Sequence, residues 1–284
     1  MLITACVFLG AGNFLTTIVL VMNNPVAEEL AVCLIQTDLY WEDVTANLSS
    51  LEEKIAAIDH PVDVIVLPEM FNSGFTMTKK TAEHMNMTTT KWMKHIAVQT
   101  SALIIGSFAI KEDGQFFNRL MCVRPDGSFL YSDKRHLFRM GEEHATYTPG
   151  NSKLIIEWKG WKIFPLVCYD LRFPVWSRNS AENPYDLLIY VASWPKRRAH
   201  AWNILLQARA IENLSYVVGV NRIGKDGNDI EYQGDSIALD FLGEPLSVLG
   251  SKELEKVVHL SRSSLQNYRT TFPTSLDADQ FTIL

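Results

Sequence analysis

Residues 165–176 read PLVCYDLRFPVW. Upstream, IFPLV is an apolar run of strand length that stops at Cys168. Downstream, Pro174 suits the first turn of a helix, where its missing N–H costs nothing. Residues 186–193, DLLIYVAS, then form a second apolar run of strand length. A strand, a short helix and another strand make a helical crossover, and crossovers join parallel neighbours. The stretch therefore predicts an α/β sheet. It also places a thiol on a strand-to-helix turn, which lifts a side chain clear of the sheet and can turn backbone N–H groups towards a developing oxyanion. The plainer use of such a cysteine is as a core residue, because Cys is among the most buried types.

Working outward, the same alternation continues. LAVCLIQTDL (30–39) reads as a buried strand, and Leu48, Leu51, Ile55 and Ile58 repeat at helical spacing, predicting an amphipathic helix over 45–58. VDVIVLPEM (62–70) is a β-branched run that ends at Pro68, and Trp92, Met93, Ile96 and Ala97 mark a second helix. LIIGSFAI (103–110), FFNRLMCVR (116–124) and SFLYSDK (128–134) follow as strands, separated by EDGQ and PDG. Those Asp-Gly steps predict antiparallel hairpins. WKIFPLVC (161–168), a third helix face of Trp202, Leu205, Leu206 and Ala210, then SYVVGVNRI (215–223), SIALDFLGEPLSVL (236–249) and KVVHL (256–260) complete the pattern, with a short helix near SSLQNYRTTF (263–272). The sum is an α/β protein with mixed sheets, free of internal repeats.

Composition bounds the function. The chain has 284 residues, 47% hydrophobic and 20% charged, with a net charge of −6. That suits a folded domain with a large core and argues against a nucleic-acid surface, which needs clustered Lys and Arg. Lys196-Arg197-Arg198 is too short a cluster to change this. No Pro/Gly/Ser-rich linker divides the chain, so residues 30–284 are read as one domain. Cys6, Cys33, Cys122 and Cys168 are far apart and form no CxxC pair, which fits neither a zinc site nor a disulfide framework. A reducing, cytoplasmic compartment and no metal or other cofactor are the expectations. Residues 1–29 are set apart as an apolar leader, with no charged residue before Glu28. Its length would span a bilayer, yet it lacks the positive flanks of an anchor or a signal peptide. A translation start at Met22 is the third reading. Membrane association is expected only if the leader is retained.

Two more residues share the placement of Cys168. Glu69 follows the apolar run IVLP, where an ionised carboxylate needs a partner or a function; the plain alternative is a salt-bridged loop residue. Lys134 ends the strand SFLYSDK, and its plain alternative is a solvated lysine. LPEMF, DKRHLF and CYDLRFP, in that order and 65 and 34 residues apart, resemble the Glu, Lys and Cys signatures of the nitrilase superfamily of carbon–nitrogen hydrolases. The resemblance runs from about residue 30 to near the C-terminus, and GEEHATYTPGN, ARAIENLSYVVGVNRIG and YQGDSIALDFLGE extend it. VCYDLRFPVWSRN and HLFRM resemble the omega-amidase branch, whose members hydrolyse the distal amide of 2-oxoglutaramate or 2-oxosuccinamate.

The resemblance implies a four-layer α-β-β-α sandwich, a homodimer formed through helices, a small-molecule substrate and a thioester intermediate. It implies Cys168 as nucleophile, Glu69 as proton shuttle and Lys134 as the cation that favours the thiolate and, with the Tyr169 backbone N–H, holds the oxyanion. A second glutamate should position the lysine; by its distance from TPG this is Glu143 rather than Glu142. Arg172, four residues after Cys168, has two readings. It is either an ion pair with Asp170 or another carboxylate, or the fork that grips a substrate carboxylate. Arg197 is a second candidate for that grip. A Cys-His hydrolase using His136, His144 or His200, and a non-catalytic interaction protein, are the competing classes.

Overall fold

The computed structural model describes residues 26–279, 281 and 283. The leader and its alternative start at Met22 lie outside the described residues, apart from its last four positions. There Ala27 bonds backbone-to-backbone with Lys159, and the Trp161 indole N–H donates to the Ala27 carbonyl.

Among the described residues, fourteen strands and six α-helices alternate. In order, the strands are β1 (Glu29–Gln36), β2 (Val64–Val66), β3 (Leu103–Glu112), β4 (Gln115–Val123), β5 (Phe129–Asp133), β6 (Ile156–Trp158), β7 (Trp161–Val167), β8 (Leu187–Ala192), β9 (Tyr216–Asn221), β10 (Ile223–Lys225), β11 (Glu231–Gln233), β12 (Ile237–Leu239), β13 (Pro245–Val248) and β14 (Leu254–Ser261). The helices are α1 (Val44–Ala56), α2 (Thr88–Thr100), α3 (Glu143–Thr146), α4 (Pro174–Ser177), α5 (Ala199–Asn213) and α6 (Arg262–Thr271). One six-stranded sheet runs β14-β1-β2-β3-β4-β5 and the other β13-β12-β9-β8-β7-β6. The β1-β2-β3 and β7-β8-β9 pairings are parallel and the rest of each sheet is antiparallel. The mixed sheets expected from crossovers and hairpins are both present. At the β3–β4 turn Asp113 and Gly114 both take positive φ, 49° and 77°, the geometry an Asp-Gly hairpin supplies.

Period-two alternation sorts each strand between two cores. On β1, Leu30, Val32 and Leu34 face the second sheet, joining Phe164, Leu166, Leu188 and Val218 in one cluster. Cys33 and Ile35 point the other way, onto Leu48, Leu51 and Ile55 of α1 and Trp92, Met93 and Ile96 of α2. Both faces are buried, so these strands read as unbroken apolar runs. Trp202, Leu206 and Ala210 of α5 and Leu265 of α6 cover the second sheet. The layers are helix, sheet, sheet, helix, as the sandwich requires.

Several strands deliver their carboxyl ends to one place. Glu69 follows β2, Lys134 follows β5, Cys168 follows β7 and Ser193 follows β8. Gly150 of the TPG turn packs against β5 so closely that a Cβ there would lie 2.1 Å from the Asp133 carbonyl oxygen. Its N–H donates to the Lys134 carbonyl at 2.9 Å, so this turn fixes the lysine's backbone.

Candidate active site

Lys134 is the hub of the site. It is 1% exposed, and its Nζ lies 2.8 Å from Glu69 Oε1 and 3.0 and 2.8 Å from the two oxygens of Glu143. Glu69 and Glu143 are fully buried. Glu142 is exposed, with a left-handed backbone at φ 55°, and makes no hydrogen bond or ion pair with Lys134. Burial alone would pull the lysine's pKa down, but Glu143 and Glu69 outweigh it and hold the ammonium above its ordinary value. Glu143 is pushed up, first by burial and also by the charge of Glu69, with Lys134 opposing.

Three further groups hold the carboxylates. The Asn118 amide on β4 donates to Glu69 Oε1 at 2.9 Å and to Glu143 Oε1 at 3.1 Å. The Ser193 N–H donates to Glu69 Oε2 at 2.9 Å, and the Phe138 N–H donates to Glu143 Oε2 at 2.6 Å. Asn118 and Ser193 were missed in the sequence. Their signal was a polar residue inside, or at the end of, an apolar strand, where burial demands a partner.

Cys168 opens the turn of 3₁₀ geometry over Cys168–Arg172. Its φ is +42°, a left-handed conformation that costs a non-glycine residue about 1–3 kcal/mol and persists only where its surroundings over-determine it. The thiol lines one cavity with Glu69, Lys134 and Ser193. Its pKa stands well above the ordinary thiol value, first because of burial and then because of the Glu69 charge. Lys134 pulls the other way, as expected for a thiolate-favouring cation, and is outweighed. Burial and the Glu69 charge thus favour the protonated thiol over the thiolate in the resting site.

These groups form the floor of a cavity of about 80 Å3, walled by Phe75, Phe138, Met140, Trp194 and Tyr232. Arg172 lines it half-buried, its guanidinium 5.0 Å from the centre of the Trp194 ring, and makes no ion pair among the described residues. Asp170, the partner considered for it, instead holds His136 at 2.8 Å. Arg197 lies exposed at the rim, and beside it stands Arg198, which the sequence reading left inside a surface cluster. Arg198 Nη1 is buried without a hydrogen-bond partner. His144 and His200 are exposed, and His136 gives its Nδ1 to Asp170. Among the described residues no group of three or more His, Cys, Asp or Glu side chains is placed to hold a metal ion.

Comparison with known proteins follows this geometry. The profile of the family described as carbon-nitrogen hydrolase matches residues 30–270. The chain is 46% identical to the omega-amidase YafV of Escherichia coli K12 over 253 residues, which is 89% of this chain and 98% of that protein. It is 30% identical to the 2-oxoglutaramate amidase of Bacillus subtilis over 226 residues, 78% of this chain and 87% of that one. Among solved structures, XC1258 of Xanthomonas campestris superimposes with a TM-score of 0.88 at 42% identity, covering 91% of this chain and all of its own; that CN-hydrolase superfamily protein carries an arsenic adduct in its active site. With a family profile spanning most of its length and this fold beneath it, the chain belongs to the carbon–nitrogen hydrolase family, within the nitrilase superfamily.

Proposed function

We propose that the protein is an omega-amidase that hydrolyses the distal amide of a short 2-oxo acid amide, 2-oxoglutaramate or 2-oxosuccinamate, to the 2-oxo dicarboxylate and ammonia. One observation carries the reading. A thiol, a carboxylate and an ammonium share the floor of a small cavity whose wall holds Arg172, a guanidinium with no carboxylate partner among the described residues. Similarity to the E. coli omega-amidase supports the same choice.

The chemistry follows from the contacts. Glu69 Oε2 takes the Cys168 proton as the sulfur attacks the amide carbon, so the thiolate exists only when a substrate is there to receive it. Charge then develops on the carbonyl oxygen, where the Lys134 ammonium and the Tyr169 backbone N–H stabilise it. Glu69 returns the proton to the leaving nitrogen, and ammonia departs from a thioester. Glu69 next removes a proton from water, whose oxygen attacks the thioester carbon. The C–S bond breaks and the sulfur recovers a proton. Glu143 and Asn118 keep Lys134 and Glu69 in register throughout. Arg172, with Arg198 beside it and Arg197 at the rim, receives the substrate carboxylate and sets its distance from the sulfur. A cavity of about 80 Å3 suits a short acyl chain.

Ile204 and Ile211 of α5 are exposed, which supports the expected helix-to-helix homodimer. Among the described residues no helix is long and apolar enough to cross a membrane. A nucleophilic thiol supports a reducing compartment, and the cytoplasm is the proposed location.

The test is ammonia release from a panel of short omega-amides, with and without the α-carboxylate and the 2-oxo group. The reading predicts highest kcat/KM for the 2-oxo acid amides. Equal turnover of an amide without the carboxylate would contradict it.

A further inference from the structure

The Asp170 side chain reaches both halves of the site without touching the cavity floor. It is 1% exposed and lies two residues beyond Cys168. Its Oδ2 accepts the Val167 N–H at 3.1 Å, immediately before the strained cysteine. Its Oδ1 accepts the His136 backbone N–H at 3.0 Å, two residues beyond Lys134. The same Oδ1 lies 2.8 Å from His136 Nδ1. A carboxylate only accepts, so Nδ1 carries the hydrogen in this pair. The His136 ring is stacked on Phe173, with centroids 3.7 Å apart and planes within 9°, and meets Trp176 edge-on. Phe173 in turn donates its backbone N–H to the Asp170 carbonyl at 3.0 Å. No other ion pair meets the Asp170 charge among the described residues.

We propose that His136 is a positioning residue for the hydrolysis: through Asp170 it ties the segment that carries Lys134 to the turn that carries Cys168. Sulfur, Glu69 and Lys134 must keep their separations through two proton transfers, and a misplacement of about 1 Å can cost about 100-fold in rate. The left-handed Cys168 backbone needs the surrounding turn to hold it, and Asp170 supplies a bond on each side of that need. Removing the His136 donor leaves a buried carboxylate with two backbone N–H partners and no side-chain partner. The turn and the lysine segment then keep the bond from the His136 backbone N–H to Asp170 but lose the hydrogen bond between their side chains. This role does not depend on which short amide the enzyme prefers.

Two variants separate the donor from the ring. His136→Phe keeps the volume and the stack on Phe173 but removes the donor. His136→Asn removes the ring and can place its amide N–H near the position of Nδ1. Assays use whichever amide of the panel the wild-type enzyme turns over fastest, so failure of the omega-amide reading leaves this test intact. The proposal predicts that His136→Phe lowers kcat tenfold or more with KM within about threefold, and that His136→Asn recovers most of that loss. Wild-type kcat in His136→Phe, or equal losses in both variants, would overturn it. If His136→Phe does not fold, Asp170→Asn carries the test: in either amide orientation its Nδ2 meets the Val167 or the His136 backbone N–H donor-to-donor, so one end of the tie is lost, and kcat should fall tenfold or more at unchanged KM. Retained kcat in that variant would overturn the proposal.

Discussion

Replacing Glu69 by Gln should make Cys168 more reactive towards an alkylating agent while destroying amide turnover. In the resting site the thiol is raised by burial and then by the Glu69 charge, with only Lys134 and the Ser193 N–H opposing. Glutamine removes that charge. Its carbonyl oxygen can keep the bonds from Lys134 and Asn118 at the Oε1 position, while its NH2 occupies the Oε2 position and loses the Ser193 bond. A neighbouring opposite charge is worth about 1–3 pKa units, and removing a like charge at the same distance is taken at the same size with the opposite sign. The thiolate fraction at neutral pH should therefore rise about 10- to 1000-fold, and a Brønsted slope of about 0.4–0.5 trims the net alkylation gain to about 3- to 60-fold. Amide turnover should fall about 100- to 10,000-fold, the usual worth of a general acid–base group. The assay is iodoacetamide labelling at neutral pH, read by peptide mapping so that only Cys168 counts. Cys33 and Cys122 are buried in the core; burial pushes Cys33 up to about 12 and Cys122 higher still. Slower alkylation of Cys168 in Glu69→Gln would refute the reasoning, because it would mean that Glu69 generates a resting thiolate.

Lys134→Met should abolish turnover and, by leaving two buried carboxylates without their cation, cost about 3–5 kcal/mol of stability in chemical denaturation. Glu143 is already raised above 4.5, so its contribution to stability is present at acidic pH and lost as pH rises through the raised value; Lys134→Met should accordingly melt at higher temperature as pH is lowered towards the carboxyl range, and a melting temperature flat with pH would count against this. Arg172→Lys should lower kcat/KM for 2-oxoglutaramate about tenfold or more, since a charge-assisted hydrogen bond is worth about 1.5–3 kcal/mol, while an amide lacking the carboxylate changes little; equal losses on both substrates, or a large fall in melting temperature, would make the arginine structural. Asn118→Ala removes both amide bonds to the carboxylates but also an Oδ1 that is buried without a partner. It should therefore cut kcat at least tenfold with a melting temperature within a few degrees of wild type, and unimpaired kcat would remove Asn118 from the positioning scheme.

The central strands β1, β2, β3, β7, β8 and β9 were legible because they are buried on both faces, and α1, α2 and α5 because each shows one apolar stripe. What escaped was short. The three residues of β6 pair with β7 across a Lys159–Gly160 turn and offer no pattern to read. The run over 236–249 breaks at Asp240–Gly243 into the β12–β13 hairpin. Glu69 and Cys168 stood out because each follows an apolar strand; Lys134, at the end of the polar strand β5, stood out only through its place between them in the ordered motifs. The direction of the thiol's pKa did not, since it depends on how Glu69 and Lys134 meet the sulfur in space. The fate of Asp170 was equally hidden. Its partner His136 lies 34 residues away, nearer in space than the Arg172 beside it in sequence.

The most direct measurement is the intact mass of enzyme acid-quenched during turnover of 2-oxoglutaramate, followed by mapping of the modified peptide. The account predicts a transient increase equal to the mass of the amide less that of ammonia, carried on Cys168 and absent from Cys168→Ala. Full turnover by Cys168→Ala, or an acyl group mapped to any other residue, would contradict it.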